Sequence, residues 1–294
     1  MRINYIAFSL SSKKNLRPIA KKSFNQTPLS PVPMISLSFE FAIPFITAAV
    51  AVIIITVIAE RYGTKKGGIL GTLPSTIMIA YLFIAYNEGV GIATKSVAVV
   101  PAEMGVNVIF LLLFAIFAYR SLALALAISL SVWTMLSLLL LFFNLEYLLA
   151  SFLIFIVAFL VAMLVLEWKR KTPSIGKVKT CYTPLRIVLR GLFAGVVIGI
   201  AVLLSNVGAV LSGILSAFPV IFLTTMIIYM REQGPGFAAG MAKSMIFGSP
   251  SVVGYTVAIF FFYPVYGIVI GTISAFILSL VITMILYNFS KRLA

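Results

Sequence analysis

The sequence predicts an all-α fold: a polytopic membrane helix bundle of about nine transmembrane helices, in two inverted four-helix repeats joined by a linker helix. Three observations carry this. First, the 294-residue chain is 62% hydrophobic and only 10% charged. A soluble domain has about 25% charged residues, so a bilayer must supply the missing apolar solvent. Second, the chain repeats. Shifted by 145 positions, Gly63, Gly68, Ile69, Leu70, Pro74, Gly89, Gly91 and Ala93 fall without a gap on Gly208, Gly213, Ile214, Leu215, Pro219, Gly234, Gly236 and Ala238, and Glu88 falls on the near-isostere Gln233. Composition bias alone gives roughly three matches in such a window. Third, Lys and Arg occur in short clusters between apolar runs, which is how membrane topology is encoded.

A membrane-spanning helix needs about 20 apolar residues. Span one covers roughly 39–59, and span two covers 67–86 with Pro74 in its first half. Span three is roughly 97–119, preceded by a small-residue segment from Gly89; spans four and five are 121–144 and 146–167. Spans six and seven are 187–206 and 208–230, the latter with Pro219. The uncharged run 244–290 is 47 residues, twice the hydrocarbon thickness at about 1.5 Å per residue, so it holds spans eight and nine. Pro264 and Gly267 mark its turn.

Charge then assigns the sides. The loop after span five carries Lys169, Arg170, Lys171, Lys177, Lys179 and Arg186 and is cytoplasmic by the positive-inside rule. Counting outward, Arg61, Lys65, Lys66, Arg120, Arg231, Lys291 and Arg292 also fall inside; Glu40, Glu88 and the 144–146 and 205–213 turns fall outside, with Lys95 the main exception. The chain is thus expected to be a multi-pass protein of the cell membrane, N-terminus outside and C-terminus cytoplasmic. Residues 34–144 form the first repeat, 145–186 the linker helix and basic loop, and 187–294 the second repeat. The turn between spans one and two is basic whereas its counterpart, 206–212, is uncharged, as inversion requires.

Residues 1–33 disagree. Their Arg2, Lys13, Lys14, Arg17, Lys21 and Lys22 would hold the N-terminus in the cytoplasm. Either they are a disordered basic tail or translation begins at Met34, and the second reading is preferred because it removes the conflict. No apolar core of signal-peptide length follows the early charges.

The run GGILGTLPSTIMIAYLFIAYNEG and its partner SGILSAFPVIFLTTMIIYMREQGPG, followed by MIFGSPS, resemble the small four-span bacterial inner-membrane proteins of the GlpM type. The likeness lies in a Gly–small–Leu-Pro signature in the second span and a Pro-Ser step opening the third. It covers each half separately, so the chain resembles a fused inverted pair. Repeat one departs from it, with Val100-Pro101-Ala102 where the second has Ser249-Pro250-Ser251. The resemblance implies architecture and no particular activity.

Six residues are candidates for contact with a solute. Pro74 and Pro219 each remove a helix hydrogen bond and displace the carbonyl four residues back, Leu70 and Leu215. Such carbonyls must face protein or a wet cavity; the alternative is a packing kink. Glu88 and Gln233 sit where spans two and seven end, each before glycines suited to helix termination or a re-entrant segment. Glu103 and Lys243 are the charges deepest in the spans. They are expected to pair or to line one cavity, unless Glu103 lies at the outer surface and Lys243 snorkels to the inner one. Glycines four apart (Gly67 and Gly71; Gly191, Gly195 and Gly199; Gly267 and Gly271) are read as helix-packing positions.

Other chemistry is missing from the inventory. Histidine and aspartate are absent, which excludes HExxH zinc sites, Ser–His pairs and aspartyl dyads. Cys181 is the single cysteine, so neither a disulfide nor a CxxC site forms, and no Walker A motif occurs. No metal and no cofactor are therefore expected, nor an enzymatic activity. The +15 formal charge lies at membrane edges and not on a folded stripe, so nucleic acid is not an expected partner. The partners are the lipid bilayer and an unidentified small solute or ion, with a homo-oligomer left open. Inverted repeats are the architecture of many secondary transporters, and transport by alternating access is the leading reading. The alternative is a non-transporting membrane scaffold or assembly factor for an envelope component.

Overall fold

A computed structural model describes residues 40–57, 73–169 and 183–292. The repeat residues 63–71, including Gly67 and Gly71, the basic cluster Arg61, Lys65 and Lys66, and the 1–33 stretch lie outside the described residues. Eleven helices and no strands are formed among those described. They are α1 (Glu40–Val57), α2 (Ser75–Glu88), α3 (Val90–Val97), α4 (Val100–Phe117), α5 (Leu122–Phe142), α6 (Leu148–Leu164), α7 (Pro184–Leu203), α8 (Ala209–Ser216), α9 (Val220–Gln233), α10 (Pro235–Gly248) and α11 (Pro250–Arg292). A π-helical turn, Val165–Lys169, extends α6. Among the described residues, seven helical runs are long and apolar enough to cross a bilayer.

Local chemistry explains where several helices start. α4, α7, α10 and α11 open with Pro101, Pro184, Pro235 and Pro250 in their first turn, where a missing N–H costs nothing and φ is already helical. Ser121 caps α5, its hydroxyl accepting from the Leu124 N–H at 3.1 Å.

Glycine sets the sharpest joints. Gly89 (φ 85°, ψ 165°) separates α2 from α3, and Gly234 (φ 83°, ψ 179°) separates α9 from α10. Left-handed φ with extended ψ is essentially confined to glycine, so these joints are more open than the αL helix ends anticipated from sequence. Gly267 (φ 74°, ψ 179°) does the same inside α11. There the chain doubles back: Tyr263 Oη and Thr272 Oγ1 lie 2.8 Å apart, and the Ser279 hydroxyl donates to the Ser251 carbonyl at 3.0 Å. α11 is therefore a helical hairpin turned where the sequence placed its turn. Gly267 makes that turn, where a Cβ would meet nothing within 4 Å, while a Cβ on Gly271 would lie 2.7 Å from Tyr263 Cδ1.

Two further close contacts assemble the bundle. Cβ atoms on Gly191, Gly195 and Gly199 of α7 would meet, in that order, the Ala49 carbonyl at 2.7 Å, the Phe45 carbonyl at 2.6 Å and the Phe41 ring at 2.5 Å. Rising numbers on α7 match falling numbers on α1, so the two helices run antiparallel, backbone against backbone. At the centre, α3–α4 is 83% buried over its most apolar window, against 22% for α5 and for α6. α4 is thus the axial helix, contacted by α5, α6 and α10, while α3 packs on α8 and α11.

Candidate functional site

Pro219 sits in a break, not in a kinked continuous helix, and Pro74 takes the same backbone conformation at the start of α2. Pro219 lies between α8 and α9 with φ −79° and ψ 46°; Pro74, before α2, has φ −76° and ψ 42°. The hydrogen bonds match as well. Ser75 N–H donates to the Leu73 carbonyl at 2.7 Å and Val220 N–H to Phe218 at 2.8 Å, while Met78 N–H and Leu223 N–H reach the Pro74 and Pro219 carbonyls at 2.7 Å each. Each proline is the centre of an inverse γ-turn that doubles as a helix cap. Leu215 is not the free carbonyl that a kink would create, because the Phe218 N–H donates to it at 3.1 Å. Leu70 lies outside the described residues.

The two proline turns meet. Leu73 and Pro74 from one side, and Ala217, Phe218 and Pro219 from the other, line a single cavity. The space is narrow: the centre of a water molecule could visit only about 40 Å³ of it, enough for one or a few waters. Most of its lining is apolar (Ile77, Val197, Ile198, Phe222).

Asn107 supplies the polar grip. Its Nδ2 donates to the Ala217 carbonyl at 2.8 Å, while its Oδ1 accepts from Trp133 Nε1 at 2.9 Å. The carbonyl exposed by the α8–α9 break is thus held by α4, and α4 by α5. One turn back on the same face of α4, Glu103 is fully buried, and its Oε1 accepts from the Ser137 hydroxyl at 2.8 Å.

The remaining candidates are dispersed. Lys243 Nζ pairs with Glu167 Oε1 at 2.8 Å, and the expected Glu103–Lys243 pair is replaced by this one. The reason is register: Lys243 lies on α10, level with the π-turn that carries Glu167 at the end of α6, whereas Glu103 faces α5. Glu88 and Gln233 close α2 and α9; Glu88 is half-buried, Gln233 is exposed, and neither lines the cavity. The Glu88 carboxyl is held above the usual carboxylate range, mainly by partial burial and secondly by the charge of Glu40, so these two acids share one end of the bundle. At another helix end Arg186 pairs with Glu232.

Several polar residues escaped sequence reasoning. Asn107, Trp133 and Ser137 read as isolated polar residues in apolar spans. Only their spacing on two helices, 103/107 and 133/137, could have hinted at a shared face. Arg190, on α7, is 7% exposed and donates to the Ile221 carbonyl at 3.1 Å and to Thr225 Oγ1, securing the first turn of α9 just past its break. Tyr81, wholly buried, lies 3.2 Å from Ser96 Oγ and accepts from Ser216 Oγ at 3.4 Å, tying α2 and α3 to α8. No His, Cys, Asp or Glu cluster able to hold a metal occurs among the described residues.

These helices define an integral, multi-pass membrane protein. Comparison with protein-family models, with curated proteins and with solved structures yields no match to this chain.

Proposed function

We propose that this chain is a secondary transporter of a small solute or ion, working by alternating access between two inverted repeats across nine spans of the cell membrane. The observation that carries the reading is the meeting of the two proline turns, closely matched in dihedrals and hydrogen bonds and 145 residues apart, around one cavity. Discontinuous helices at a repeat interface are where such transporters bind their cargo. The repeat shows in the bounds of α2 and α9, shifted by 145 residues at both ends. Two features support inversion. The equivalent helices α1 and α7 are antiparallel. Packing between the halves is reciprocal, α3 on α11 and α4 on α10, as a two-fold relation requires. The likeness of each half to GlpM-type proteins belongs to the same proposal, with α6 as the linker; the cargo is sought among small solutes and ions, not nucleic acids, and we assign no enzymatic activity.

A scaffold or assembly role is the second reading, and the narrow, largely apolar cavity favours it, because a protein that moves nothing needs no wet path. Flux decides. Proteoliposomes should give saturable currents or uptake above empty vesicles when challenged with jumps of H⁺, Na⁺, K⁺ or Cl⁻, or with labelled amino acids and sugars. Ile221→Trp, which fills the cavity, should reduce that flux at least about tenfold. Flux of none of these probes would sink transport in favour of the scaffold. Orientation is tested separately: a reporter after Ala294 should read cytoplasmic and one inserted at 205–207 external. Two reports from one side would overturn the inverted-repeat reading.

A further inference from the structure

We propose that Glu103 is a proton-binding site, and that its protonation sets, through the Trp133 indole, how firmly Asn107 holds the α8–α9 break. This names the coupling ion for the transport reading and rests on it for its purpose, though not for its geometry. Glu103 is 0% exposed on the axial helix, and its Oε2 has no hydrogen-bond partner among the described residues. An anion so placed is costly to keep in an apolar interior, and a bound proton removes the cost.

The surroundings suit a proton and not a metal cation. The Ser137 hydroxyl donates to the Glu103 carboxyl, and the Trp133 indole, bonded to Asn107 one turn along the same face of α4, is the next donor near it. Both donate hydrogen, and the indole has no lone pair to give. A hard cation takes about six or more oxygen ligands, which one carboxylate and one hydroxyl do not provide. The other titratable groups on helices packed against α4 are few. α5, α6 and α8 contribute none; α3 brings Lys95, which is exposed; α10 brings Lys243, paired with Glu167; α11 brings Tyr255 and Tyr263, Tyr266 near its turn and Tyr287 beyond it.

The step is simple. A proton from the aqueous phase bonds to a carboxylate oxygen, no other bond breaks, and release is the reverse. With Glu103 neutral, the Trp133 N–H rests on Asn107 Oδ1 at 2.9 Å, and Asn107 in turn grips Ala217 at 2.8 Å. With Glu103 ionised, the carboxylate competes for the same N–H. A charge-assisted hydrogen bond is about twice as strong as a neutral one, so the indole leaves Asn107 and the hold on Ala217 slackens.

Trp133 itself reports the event. The protein has two tryptophans, so Trp168→Phe leaves Trp133 as the only one. In nanodiscs its emission should change sigmoidally between about pH 4 and about pH 9, below tyrosine ionisation. In Glu103→Gln the change should vanish, with the signal held at its acid-side level. A flat Trp133 signal in the parent, or an unaltered titration in Glu103→Gln, overturns the proposal. Should Glu103→Gln fail to fold, Ser137→Ala serves: the charged form loses its hydroxyl donor, and the midpoint should move about one unit to higher pH. An unmoved midpoint overturns the proposal equally. Titration without proteoliposome flux would leave the proton site standing and remove only transport; flux without titration would do the opposite.

Discussion

Gly213→Leu should prevent the protein from accumulating as a monodisperse species in detergent, or leave it the least heat-resistant of the variants considered. A Cβ at Gly213 would overlap the Ser96 carbonyl oxygen and lie 2.5 Å from Val99 Cγ1. The first obstacle is backbone of α3 and cannot rotate away. Overpacking costs about 1–3 kcal/mol where side chains can yield, and more where they cannot. Against a total stability of about 5–15 kcal/mol that loss is severe, because α8 and α3 must separate and take the Tyr81–Ser216 contact with them. Gly91→Ala is the control, since a Cβ there meets nothing within 4 Å; in helix α3 it should be neutral or stabilising by up to about 1 kcal/mol. Size-exclusion profiles after graded heating check both. Equal survival of Gly213→Leu and Gly91→Ala would show that α3 and α8 are not in close contact.

Asn107→Leu is the second large effect, expected to destabilise by about 2 kcal/mol. The substitution keeps the branched outline and removes the polar contacts, leaving the Ala217 carbonyl and the Trp133 N–H without their partner. An unsatisfied buried polar group costs about 1–3 kcal/mol, whereas side-chain hydrogen bonds in membrane bundles average nearer 0.6 kcal/mol; two together fall between these limits. Trp133→Phe breaks only one and should cost about half as much. Because both substitutions remove the same Trp133–Asn107 bond, their combination should cost less than the sum. Thermal midpoints of the two single variants and the double variant give the comparison, and strict additivity would mean that the two side chains do not touch.

Composition and backbone chemistry decide the part of the fold that was legible in the sequence. The apolar runs required a membrane bundle, because 10% charge does not cover a surface in water. Pro74, Pro219, Gly89, Gly234 and Gly267 marked joints, since proline lacks a donor and glycine alone tolerates those dihedrals. The glycines of α7 announced a close helix contact before the partner was known. In each case the residue's own covalent structure limits what the chain does locally, so no knowledge of neighbours was needed.

The site was different. That Pro219 lies in a complete break, that the two proline turns face each other, that Lys243 pairs with Glu167, and that Asn107, Trp133, Ser137 and Glu103 lie along one face all depend on which helix faces contact across the bundle. In an apolar helix a polar residue carries no periodic signal, because every face is apolar and lipid is as compatible a neighbour as another helix. Only packing decides whether Glu103 meets Ser137 on α5 or a lysine on α10. The sequence by itself determined the membrane class and the hairpin turn of α11. The tertiary structure alone decided that the carbonyl held from across the bundle is that of Ala217, because a hydrogen-bond partner 110 residues away is chosen by the register of packed helices and not by any local property of the chain.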